Sequence, residues 1–210
     1  MADLQACSEF LQKGKANEVK EIVQQALDEG MNIKEILEEG LMSGMNIIGV
    51  KFKNNEIFIP EVLIAARAMN AGAALLKPFM KDAGVEPKGT AVIGTVKGDL
   101  HDIGKNLVAM MMEGKGFKIV DLGTDITAQK YIEAAIEHDA DIICCSALLT
   151  TTMNEMGNVV KAATEAGIRD KVKIMVGGAP VTQSFCDTIG ADYYTPDATS
   201  AAETALTICA

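Results

Sequence analysis

Residues 89–110 run GTAVIGTVKGDLHDIGKNLVAM and hold three kinds of pattern in succession. An apolar run ends near Val96, a polar loop carries Gly98, Asp99, His101 and Gly104, and then Ile103, Leu107, Met110 and Met111 fall on one helical face. That is strand, loop, helix. The pattern recurs: FKIVDLG (117–123), DIICCSALL (141–149), VKIMVGG (172–178) and a weaker ADYYT (191–195) alternate with helical stretches. Such alternation predicts a five-stranded parallel sheet with helices on both faces.

Five strands wound this way suit the order 2-1-3-4-5. Strands 1 and 3 are then neighbours whose helices leave to opposite faces, which opens a crevice at their carboxyl ends. The loops bordering it are KGDLHDIG (97–104) after strand 1 and SALLTTT (146–152) after strand 3. His101 therefore falls where a doubly wound sheet binds ligands, and the chain has only two histidines.

Upstream the period changes to that of helices. In NEVKEIVQQALDEG (17–30), Asn17 is placed to cap, and Val19, Ile22, Val23, Ala26 and Leu27 line one face. Asn32 followed by Glu35 resembles a capping box opening NIKEILEEGLMSGMNIIGVKF. Pro60 suits a first helical position, with Val62, Leu63, Ala66, Met69, Ala73 and Leu76 continuing the stripe. Four amphipathic helices make a bundle. The connection KFKNNEIFIP (51–60) offers Phe52, Ile57, Phe58 and Ile59 from a loop, either as core contacts or as cover for a ligand. KDAGVEPKG (81–89) reads as a linker, which predicts a helical domain over 1–86 and an α/β domain over 87–210.

The net charge of −10 opposes nucleic-acid and anionic-membrane partners. No apolar run reaches the roughly 18 residues of a membrane span, and MADLQACSEFLQKGK lacks a secretory h-region. Five scattered cysteines form no CxxC pair, which opposes a zinc knuckle or redox dithiol and predicts a reducing, cytoplasmic compartment, with Cys144 and Cys145 as small buried apolar residues. The 12 methionines read as core filler.

His101 admits three readings. A phosphate loop fails: Gly98 and Gly104 enclose five residues rather than four, Asn106 replaces the hydroxyl that binds Mg²⁺, and Asp99 and Asp102 repel phosphate. A surface histidine bonded to an aspartate is the plain reading, and it suffices for His138. For His101 the alternative is a metal ligand, because Asp99 can accept the Nδ1 proton and leave Nε2 as a lone pair. Gly104 leaves room for something bulky. With no second histidine or cysteine nearby, the metal must bring its other ligands itself, as in a macrocycle.

Asp99-x-His101-x-x-Gly104, then Ser146-x-Leu148, then Gly177-Gly178 resembles the signature of corrinoid proteins of cobalamin-dependent methyl transfer and of the methionine synthase cobalamin domain. The gaps are 41 residues (105–145) and 28 residues (149–176), as in that family. GLMSGMNIIGVKFKNNEIFIPEVLIAARAM resembles its helical cap, so nearly the whole chain is covered.

The resemblance implies a flavodoxin-like (Rossmann-like) domain behind a four-helix cap, and a cobalamin or related corrinoid bound base-off with His101 as lower cobalt ligand. It assigns Asp99 and Thr152 to the hydrogen-bonded relay behind the imidazole. Leu100, Asp102, Ile103 and Gly104 would contact the corrinoid. Ser146, Leu148, Thr150, Gly177, Gly178 and Ala198 would line the tunnel for its nucleotide tail, the glycines because a Cβ would block it. Phe52 and Ile59 would shield the upper face, with Glu38 touching the corrinoid and the cap moving aside for each partner. The implied function is a methyl carrier, inactive alone, between a substrate-specific methyltransferase and a second one acting on coenzyme M or tetrahydrofolate, with a reductive activase. A mutase subunit and a cobalamin-sensing regulator share the binding signature; the cap opposes the first, and the acidic chain without a DNA-binding module opposes the second.

Overall fold

The computed structural model describes all residues, Met1–Ala210, which divide into two compact units, Met1–Glu86 and Pro87–Ala210. The first unit is helical: α1 (Leu4–Gln12), α2 (Ala16–Asp28), α3 (Ile33–Glu35) running into a π-helical stretch (Ile36–Met42) and then α4 (Ser43–Lys53), and α5 (Ile59–Met80). Asn32 caps, its side chain accepting from the amides of Lys34 and Glu35, which is the Asn32 half of the expected capping box. Asn17 does not cap. Gly14, at φ 69°, turns the chain so tightly that α2 has begun by Ala16, leaving Asn17 inside the first turn. Pro60 occupies the second helical position, and the Glu61 carboxylate accepts from the Phe58 amide to close the start of α5.

The π stretch has a packing reason. Ile36 and Leu41 are both fully buried although five residues apart, a spacing that wide turns bring to one face and α-helical turns do not. Val19, Val23 and Ala26 of α2 and Val62, Ala66, Met69 and Leu76 of α5 are buried, and α2 packs against α5. Leu63, expected in that stripe, is exposed. At 22 residues α5 is also long and apolar enough to cross a membrane, nearer to a span than uninterrupted runs suggest, yet its stripe is taken up by α2 and its neighbours.

The second unit has a parallel sheet of β1 (Thr90–Thr95), β2 (Lys118–Asp121), β3 (Ile142–Ser146), β4 (Lys173–Gly177) and β5 (Tyr193–Tyr194), in the order β2-β1-β3-β4-β5. Between the strands run α6 (Ile103–Gly114), α7 (Ala128–Glu137), α8 (Asn154–Glu165) and α9 (Gln183–Ile189), and α10 (Ala198–Ile208) closes the chain. α6 packs on α10, and α7 on α8, as winding onto opposite faces requires. Val92, Ile142, Ile143 and Ile174 are fully buried, each such side chain stabilising by about 1.5–3 kcal/mol. Cys144 and Cys145 are buried, and desolvation pushes the Cys144 thiol up to about 12, so both act as small apolar residues. On α6 the buried face differs from the expected one: Ile103 is exposed, whereas Lys105 is buried.

Register places the motifs side by side. Thr95 pairs with Ser146 and Ser146 with Gly177, so the loops after β1, β3 and β4 leave the sheet from one row.

Candidate functional site

Asp99 is the centre of that row. Its carboxylate is fully buried and receives donors from three directions. Oδ1 accepts from the His101 amide at 3.1 Å and lies 2.7 Å from His101 Nδ1. Oδ2 accepts from the amides of Leu148 at 2.8 Å and Leu149 at 3.2 Å, and from the Thr152 hydroxyl at 2.9 Å. The Leu149 carbonyl lies equally close to that hydroxyl, so its single proton is shared between two acceptors. Burial raises the Asp99 carboxyl, but the bonds from the His101 ring, the Leu148 and His101 amides and Thr152 outweigh it and hold the group well below the usual carboxylate range.

An ionised carboxylate only accepts, so the nitrogen 2.7 Å from Oδ1 must carry the proton. Neutral His101 is therefore the Nδ1–H tautomer, with Nε2 a lone pair on a side chain 51% exposed. Thr95 steadies the same loop from below, its hydroxyl donating to the His101 carbonyl at 2.8 Å.

The two loops beside this imidazole expose four large apolar side chains. Leu100 is 74% exposed and Ile103 64%, with Leu148 and Leu149 also exposed across the crevice. Single exposed apolar residues are ordinary; four grouped at the rim of one clamped imidazole suit a broad, flat apolar partner. A Cβ built on Gly104 meets nothing within 4 Å, and one on Gly177 meets only the Thr195 carbonyl at 3.5 Å, so both leave space beside the crevice. No group of three or more His, Cys, Asp or Glu side chains converges to hold an ion. A metal held here would take one ligand from the chain and the rest from elsewhere, and a corrinoid ring fits that donor set.

The other expected residues lie as follows. Ser146 ends β3, its carbonyl accepting from the Val96 amide, and exposed Thr150 sits in the loop after it. Asp102 is exposed and sits at the N-cap position just before α6. Ala198 is buried at the start of α10 behind the Asp197 cap. Gly178 carries a different explanation from the one its motif suggests. At φ 132° its Cβ would lie 1.9 Å from the Ala147 carbonyl, so the crossing of the chain's own loops demands glycine there, whatever binds. Half-buried Phe52 ends α4, exposed Ile59 begins α5, and exposed Glu38 lies in the π stretch, all in the N-terminal unit.

Three residues at the site escape sequence reasoning: Thr95, Lys105 and Asp125. Lys105 Nζ donates at 2.6 Å to Asp121 and at 2.6 Å to Asn106, tying α6 to the end of β2. Asp125 has φ 58° and accepts from the Gly98 amide at 2.7 Å. Only Asp125 left a signal, as the last residue of a Gly-Thr-Asp turn following the strand next to β1.

Two family models described as B12 binding domain match the chain, over residues 89–206 and over residues 4–77. The dimethylamine corrinoid protein of Methanosarcina barkeri is 44% identical over 185 residues, covering 88% of this chain and 80% of that protein. Trimethylamine corrinoid protein 1 of Methanosarcina acetivorans is 48% identical over 181 residues, covering 85% and 84%. The crystal structure of the methanol:cobalamin methyltransferase complex of Methanosarcina barkeri superposes with a TM-score of 0.87 at 30% identity, over 97% of this chain and 78% of that one. A cobalamin-binding protein of Desulfitobacterium hafniense gives 0.79 at 28% identity, over 99% of each chain. A buried aspartate presenting one imidazole beside an apolar shelf, within a chain so matched across both of its units, places this protein in the B12-binding family of corrinoid proteins.

Proposed function

We propose that this chain is the methyl-carrying corrinoid protein of a methyltransferase system, holding its corrinoid base-off with His101 Nε2 as the lower cobalt ligand. The observation that supports this most strongly is the 2.7 Å contact between His101 Nδ1 and buried Asp99 Oδ1, from which the Nδ1–H tautomer follows and the outward nitrogen is left free to coordinate. When bound, the corrinoid supplies a cobalt centre that accepts a methyl group and yields it to another acceptor. The chain's own residues do the rest. Asp99 holds the Nδ1 proton, Thr152 and the Leu148 and Leu149 amides hold Asp99, and Nε2 is the atom that can take up a proton when it is not coordinated.

Leu100, Asp102, Ile103 and Gly104 are proposed to contact the ring, and Ser146, Leu148, Thr150, Gly177 and Ala198 the nucleotide tail. Phe52, Ile59 and Glu38 are proposed as upper-face contacts on family resemblance. A substrate-specific methyltransferase is the proposed partner, by relation to the Methanosarcina barkeri methyltransferase complex, with a donor such as methanol, a methylamine or a quaternary amine. A second methyltransferase acting on coenzyme M or tetrahydrofolate, and a reductive activase, complete the proposed cycle in the cytoplasm. Reconstitution of the apo chain with hydroxocobalamin tests this: one equivalent should bind with a nitrogen-ligated spectrum in the wild type, which His101→Ala converts to the base-off form. A nitrogen-ligated spectrum that His101→Ala leaves unchanged would overturn it.

A further inference from the structure

The carboxylate behind His101 steadies the imbedded side of the loop, but a second grip acts on its flank. Asp125, in the connection between β2 and α7, meets the Gly98–Asp99 corner in both directions. Its Oδ1 accepts from the Gly98 amide at 2.7 Å, and its own amide donates to the Asp99 carbonyl at 3.0 Å. To do so it adopts φ 58°, a left-handed conformation that few residues other than glycine, asparagine and aspartate tolerate. The same connection is anchored separately: buried Lys105 bonds Asp121 Oδ2 at 2.6 Å, and Asp121 Oδ1 accepts from the Gly123 amide at 2.9 Å. The Gly123 carbonyl accepts from the Thr95 amide at 2.9 Å, which brings the anchor back to the strand that launches the His101 loop.

We propose that Asp125 is a positioning residue for His101, fixing the Gly98–Asp99 corner from the β2 side so that the imidazole is presented outward. The residues after the corner have little freedom of their own. Asp99 bonds both the amide and the ring of His101, so any swing of the Asp99 backbone carries the imidazole with it. Without the Gly98 tie, the corner can pivot about Asp99 while its carboxylate stays buried, and Nε2 loses its fixed aim. This deepens the proposed function and rests on His101 being the lower ligand.

Two variants separate position from fold. Asp125→Gly accepts φ 58° without strain and removes only the carboxylate; Asp125→Asn tolerates that φ and keeps a side-chain oxygen for Gly98. In the apo chain, amide exchange at Gly98 and at His101 should rise in the glycine variant by about threefold to tenfold, the effect of one lost hydrogen bond, and return to wild-type rates in the asparagine variant. Corrinoid titration should show a similar loss of affinity and a smaller cobalt–imidazole population in Asp125→Gly alone, with the thermal midpoint lowered by no more than about 5 °C. If Gly98 exchange rises while His101 exchange and corrinoid ligation stay at wild-type values, the proposal is overturned. If the asparagine variant behaves like the glycine one, the side-chain oxygen is not the cause, and it is likewise overturned. A wild-type protein that binds corrinoid without imidazole ligation would instead overturn the proposed function, and the apo exchange rates would still decide the role of Asp125.

Discussion

Asp99→Asn keeps the shape of the side chain and changes only what its two terminal atoms can do. In the wild type five donors converge on two oxygens: two on Oδ1 and three on Oδ2. An amide that keeps its oxygen toward Leu148, Leu149 and Thr152 must turn its NH₂ toward His101. Nδ1 can respond by giving up its proton and accepting, which moves the proton to Nε2. The His101 amide cannot respond and faces a donor about 3.1 Å away. Losing one charge-assisted hydrogen bond and weakening the others costs about 2–4 kcal/mol, on the order of 10 °C in Tm. The effect on ligation is larger, because a protonated Nε2 offers no lone pair; outer-shell changes of this kind weaken metal sites by about 10- to 100-fold. Urea unfolding of the apo chain and absorbance titration with hydroxocobalamin measure the two effects separately. An Asp99→Asn protein that binds corrinoid with wild-type affinity and imidazole ligation would refute the inference that Asp99 sets the tautomer.

Acidification follows from the same carboxylate. Asp99 is held below its unfolded value, so its contribution to stability is fully present above about pH 4 and is lost as pH falls from there toward the native value. Urea midpoints measured from pH 7 to pH 3 should therefore fall less steeply in Asp99→Asn than in the wild type; parallel slopes would contradict the assignment. Thr152→Val should cost about 1 kcal/mol and loosen ligation, while Thr152→Ser, which keeps the hydroxyl bonded to Asp99 Oδ2, should restore both. Gly178→Ala should destabilise the apo chain by several kcal/mol through its clash with the Ala147 carbonyl, whereas Gly177→Ala should fold normally and bind corrinoid less tightly. Equal apo stability of the two would contradict the loop-crossing explanation.

The strands were legible because each is an apolar run bounded by turn residues, and the order of the sheet followed from five such runs alternating with helices. The Asp99–His101 pair was legible because both residues lie in one loop, two positions apart. What escaped depended on contacts distant in sequence or on an unusual period. Gly178 is demanded by Ala147, 31 positions away, a meeting that exists only once β3 and β4 pair. Lys105 reads as a surface cation until Asp121 arrives from the next strand. The π stretch breaks the 3.6 period on which helix reading relies, since Ile36 and Leu41 share a buried face only in wider turns. Thr95 looks like one more strand residue until the chain doubles back to set the His101 carbonyl above its hydroxyl.

Because the chain has only two histidines, isotopic labelling of histidine can identify the nitrogen that holds cobalt. Protein carrying ¹⁵N-histidine, loaded with corrinoid and reduced to the Co(II) form, should show the nitrogen splitting in its EPR spectrum change from three lines to two. The change should persist in His138→Asn and vanish in His101→Ala. A splitting that histidine labelling leaves at three lines would mean that another nitrogen holds the cobalt.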